Sequence, residues 1–159
     1  MTLVVTESPR MRFQTDLREV VAALDGIHLA YLWFLSDIEV NCIGVDPSLP
    51  LELQLDAAGE TADCWISGQR LDEMASQHDI QLIWGVLSAF HPESVPERTG
   101  PEPRPIAEGH SPTGETQHPD AQIEIIAFDS TFTAITARDR EVEAAFGRHF
   151  SQGEASETT

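Results

Sequence analysis

The chain has 159 residues, the size of a single domain and long enough to bury a core without help from disulfides or metal. Its 41% hydrophobic content excludes wholesale disorder, and its longest apolar stretch, seven residues at 29–35, falls well short of the about 18 that a membrane-spanning helix needs. The 27 acids outweigh nine bases, all arginine, for a formal charge of −18; this argues against binding to nucleic-acid phosphates or to an anionic membrane surface, since both call for clustered cations.

In chain order, a short strand opens the sequence, and Thr15 or Asp16 then caps a helix whose apolar residues Leu17, Val20, Val21 and Leu24 keep helical spacing until Gly26 ends it. Asp16 and Glu19 stand at capping-box spacing. Four strand-like runs follow at 28–35, 38–45, 51–56 and 62–66. Ser36 and Asp37 between the first two suggest a hairpin turn, which would set Cys42 opposite Tyr31. In the third, Leu51, Leu53 and Leu55 alternate with Glu52, Gln54 and Asp56, the pattern of a strand with one buried and one solvated face. A second helix starts after Ser67, burying Leu71, Met74 and Ala75 and leaving Asp72 and Glu73 outside. Residues 80–90 are apolar at both parities, as a central strand covered on both faces must be.

Seven of the ten prolines fall between His91 and Asp120, with few large apolar side chains among them. Such a stretch offers little surface to bury against its ordering entropy, so 92–120 reads as a disordered or loosely held insertion between two strands. Strands at 122–128 and 131–137 follow, with Asp129-Ser130-Thr131 as the turn between them. Asp139 then caps a closing helix with Val142, Ala145, Phe146 and Phe150 on its inner stripe, and 151–159 reads as a frayed tail. Consecutive strands with helices at intervals predict an α+β fold: a mainly antiparallel sheet of about six to seven strands with about three helices, mostly on one face, in a single domain spanning 1–150.

The acids are unevenly spread. Residues 37–79 hold ten of them against Arg70 alone. Asp37, Glu39, Glu52, Asp56, Asp63, Asp72 and Glu73 are the candidate partner-binding residues, a negative sheet face that would steer a basic protein partner. Coding bias or a salty cytoplasm would produce the same balance without any particular partner.

Signals for catalysis are sparse. Cys42 and Cys64 lack metal-binding or redox spacing and read as buried, reduced thiols. His91, His110 and His118, with Glu93, Glu108, Glu115 and Asp120, could together ligate a borderline metal, but they lack the short fixed spacings of a zinc site. Glycine-rich phosphate loops, metalloprotease helices and nucleophile elbows are missing, and without lysine there is no Schiff-base chemistry. Trp33, Trp65 and Trp84 read as packing residues, since no basic residues interleave with them as in a base-stacking platform. No cofactor or metal is expected. An enzyme would have to assemble Asp129, Ser130, His28, His78 or Cys42 across the sheet.

The segments Tyr31-Leu-Trp-Phe, Ile66-Ser-Gly, 79–92 and 124–139 resemble a family of small bacterial proteins of unknown function, and acidic α+β chains of this kind are also similar to bacterial toxin-immunity proteins. The resemblance implies an α+β fold and no catalytic residue. With the absence of catalytic motifs, the expectation is a cytoplasmic, non-enzymatic binding protein of immunity or inhibitor type that engages a protein partner. A small enzyme, or a housekeeping protein whose acidity reflects its host, is the alternative.

Overall fold

The computed structural model describes residues 2–6, 8, 11–42, 49–96, 101, 104–109 and 114–151. Six strands form one antiparallel sheet: β1 (Thr2–Val5), β2 (Leu32–Cys42), β3 (Cys64–Ser67), β4 (Ile80–Phe90), β5 (Ile123–Phe128) and β6 (Phe132–Ala137), in the order β1-β6-β5-β4-β2-β3. Helices α1 (Leu17–Ala23), α2 (Gly68–Gln77) and α3 (Arg140–Ser151) all pack on one face. The fold is the expected α+β class.

Each helix begins where a side chain satisfies a free N–H. Asp16 accepts from Arg18 N, Ser67 from Arg70 N and Asp139 from Glu141 N. Glu19 does not close the capping box on Asp16 but reaches α3, 2.8 Å from His149 Nε2. Leu17, Val20 and Val21 of α1 meet Leu71 and Met74 of α2 and Phe146 and Phe150 of α3 over the sheet residues Trp33, Leu87, Ile123, Ile125 and Ile135. Full burial of each large apolar side chain contributes about 1.5–3 kcal/mol. That packing holds α1 helical, though its seven residues are too few to be a stable helix alone.

Three expectations need correction. Runs 28–35 and 38–45 are not two strands around a hairpin: as far as Cys42 they form one strand, β2, preceded by a 3-10 turn at Ile27–Ala30. Cys42 therefore pairs with Ile80, not Tyr31, and 43–45 lie outside the described residues. Run 51–56 is no strand either. Leu51–Leu53 is a 3-10 turn in which Leu53 is 1% exposed while Leu51 and Leu55 are 79% and 64% exposed, so the alternating leucines do not share a buried face. Glu52 instead turns onto Arg70 of α2, and Asp56 folds the chain back by accepting from Ala58 N and Glu60 N.

The remaining expectation concerns the second sheet face. Within 92–120, Pro101, Pro105, Ala107 and His118 are buried, while the other described residues are exposed or half-buried. Ala107 joins Val86, Ile126 and Ala134, while Val95 packs with Phe34, Phe90 and Ala121. These described residues cover part of the face that the helices leave open. The predicted tail beyond Ser151 lies outside the described residues.

Candidate functional site

The candidate site originates in an irregularity between β2 and β4. Their register runs evenly from Leu32↔Phe90 to Ser36↔Val86, then resumes at Glu39↔Trp84 and Val40↔Leu82. The first shift inserts a residue into β2 and the second inserts one into β4, so the two bulges cancel in register. Asp37 sits in the first, at φ 54, a left-handed conformation that Asp tolerates better than most residues. Beyond the bulges the alternation is reset: Ile38 and Val40 pack with the helix-side core, and Glu39 lies beside Trp84 on the insertion side.

An open groove of about 790 Å³ lies over this irregularity. Trp84 supplies apolar lining from the sheet and packs edge-on against Phe128, which stacks on Phe132. Leu55 and Thr61 contribute from the loop before β3; Leu55 is largely exposed, and Thr61 Oγ1 is buried without a hydrogen-bond partner among the described residues. Four carboxylates border the groove: Asp37, Glu39, Glu60 and Glu108. Arg104 of the insertion is the one cation among the lining residues.

The seven acids singled out from the sequence do not form one free face. Glu52 is held by Arg70 in a two-pronged pair of 2.7 and 3.0 Å, which lowers its pKa, and Glu73 lies 3.4 Å from the same guanidinium. Asp72 is 2.8 Å from the Nε2 of buried His28. Asp56 is spent on its own turn. Asp63 pairs with Arg104 Nε and Nη2 and also accepts from Asp37 N. Asp37 accepts from Ala107 N at 2.9 Å. Glu39 alone has no hydrogen bond or ion pair with a described residue, and Glu60 and Glu108, outside the predicted set, share its open carboxylate. Only Asp37 and Glu39 of the original seven line the groove.

Sequence reasoning overlooked Glu124, which sits in an apolar strand but is 1% exposed on its insertion side. Burial pushes its carboxyl up to about 7, against the pull of a hydrogen bond from Gln117 N. Ser88 and Thr136 stand directly opposite it on the neighbouring strands, and Ser88 Oγ has no partner among the described residues. A lone acid in an apolar run was the available signal.

The groups weighed for catalysis are dispersed. Asp129 and Ser130 both adopt positive φ in the β5–β6 turn, where Ser130 N donates to Ile83 O. Cys64 is no activated nucleophile, since burial, with Glu52 and Asp63 nearby, pushes its thiol up to about 11. His118 is buried against Phe90, its Nδ1 accepting from Asp120 N, whereas His91 packs on Tyr31 and His110 lies outside the described residues. Among the described residues no three His, Cys, Asp or Glu side chains are grouped to hold a metal ion, and no helix is long and apolar enough to cross a membrane. No family model matches the chain, and no curated protein and no solved structure matches it.

Proposed function

We propose that this chain is a cytoplasmic binding protein, of immunity or inhibitor type, that takes an extended cationic segment of a protein partner into the groove over Trp84. The observation carrying this reading is a set of carboxylates, Glu39, Glu60 and Glu108, left without a described cationic hydrogen-bond partner around apolar lining. At two other places arginines answer acids: Arg12 joins Asp16 and Asp79, and Arg70 joins Glu52 and Glu73. Open negative charge beside an aromatic surface suits a segment with cationic and apolar side chains, and a field of this sign speeds its encounter.

The test is titration with a soluble peptide alternating arginine and serine around one leucine, followed by calorimetry. Binding at low ionic strength that weakens as salt is added, and that falls at least tenfold in the Glu39→Gln/Glu60→Gln double variant, is the expected result. A Glu115→Gln/Glu141→Gln variant, with exposed acids away from this groove, controls for net charge. Equal losses in the two double variants, or no association at low salt, would overturn the reading.

A further inference from the structure

The groove already holds one guanidinium. Arg104 lines it, and its Nε and Nη2 meet the two oxygens of Asp63, which is not itself a lining residue, the second at 2.9 Å. The carboxylates of Asp37 and Glu60 add their attraction to that of Asp63. Asp63 is itself oriented by the β2 bulge, because Asp37 N donates to its Oδ1. A fork of two parallel N–H groups on a fixed carboxylate is the geometry that distinguishes arginine from lysine.

The residues that follow Arg104 are firmly held. The next residues are anchored to the sheet: Ser36 Oγ donates to Pro105 O at 2.7 Å, Ala107 N donates to Asp37 Oδ2, and Pro105 and Ala107 are buried. Gln117 brackets Ile106, accepting from its N–H and donating to its carbonyl. The Arg104 side chain, by contrast, is half exposed, and exposed ion pairs are weak enough to exchange. It can therefore swing away from Asp63 while its anchor stays in place.

Resting on the binding reading above, we infer that Arg104 is a tethered competitor: the partner's anchoring residue is an arginine that takes the place of Arg104 on Asp63. The insertion then tunes affinity from within the chain, and only a segment presenting a guanidinium among further cations displaces it.

The experiment compares wild type, Arg104→Gln and the Arg104→Gln/Asp63→Asn double variant, each titrated with the arginine peptide and with its lysine counterpart. Removing the competitor should tighten arginine-peptide binding by about threefold to tenfold, in line with the weight of one exposed pair and one positive charge. The gain should vanish in the double variant, and the lysine peptide should bind Arg104→Gln more weakly than the arginine peptide does. Unchanged or weaker binding to Arg104→Gln would show that Arg104 shapes the groove or is irrelevant to it, and would overturn the competition. Equal affinity for the two peptides would overturn the guanidinium assignment. If neither peptide binds any variant, the binding reading itself fails, an outcome distinct from an affinity that exists but does not respond to Arg104.

Discussion

Glu124 is the side chain whose chemistry departs furthest from what its surroundings in sequence suggest. Among apolar neighbours it would be expected to face water, yet it is sealed between β5 and the insertion with Gln117 N as its donor. Its carboxyl rises from 4.5 to about 7, so the folded chain keeps a proton that the unfolded chain has already released at intermediate pH. Stability from this group is complete below the unfolded value, falls as pH rises between the two, and is lost above about 7. The span corresponds to about 3 kcal/mol. Glu124→Gln, which keeps an acceptor for Gln117 N, should be more stable than wild type at pH 8 by up to that amount and nearly equal to it at pH 4. Urea unfolding of both proteins at the two values checks this, and parallel pH profiles would contradict it. Carboxylates with lowered pKa, such as Glu52, act with the opposite sign, but they are common to both proteins and cancel in the comparison.

At the scale of elements, sequence patterns were legible where one physical cause dominated. Strand β4 emerged over its full length because only a strand buried on both sides is apolar at both parities. The α2 boundary was equally clear, since Ser67 caps and Gly68 follows. That glycine is required by a close approach: a Cβ there would come within 2.1 Å of the His28 carbonyl oxygen, a backbone atom with no freedom to yield. Gly68→Ala should therefore destabilise the chain by about 1–3 kcal/mol, as overpacking of a tight contact does, despite alanine's better helix propensity. A thermal melt showing a stabilised variant would refute the close packing of the 3-10 turn on α2. The bulge in β2 was illegible for a definite reason. Aspartate at positive φ serves both a turn and a bulge, and what separates them is the neighbour: Asp129 and Ser130 are both left-handed and reverse the chain, whereas Asp37 is left-handed beside an extended Ser36 and only offsets it. The candidate groove depends on that offset, and so of the seven acids picked out from composition only Asp37 and Glu39 line it.

For the whole molecule, −18 net charge is a global load that local ion pairs relieve only in places. The nine arginines cannot balance 27 acids, and several of those described are committed to fixing loops and helix starts rather than to lowering the overall field. Folding concentrates the negative charge, so self-repulsion opposes the compact state, and added salt relieves it by screening. Association with a cationic segment has the reverse dependence, because salt screens an attraction. Folding and binding should thus respond to ionic strength in opposite directions. Raising sodium chloride from about 10 mM to about 0.5 M, which shortens the screening length from about 30 Å to a few ångströms, should raise the melting temperature while weakening the arginine peptide. Because sodium chloride is not a strongly excluded salt, a matching rise in the less charged Glu39→Gln/Glu60→Gln variant should be smaller, which separates screening from a general salting-out effect. A melting temperature that falls with salt would mean that the arginine pairs outweigh the repulsion, and that the acid excess is already neutralised within the fold rather than held open for a partner.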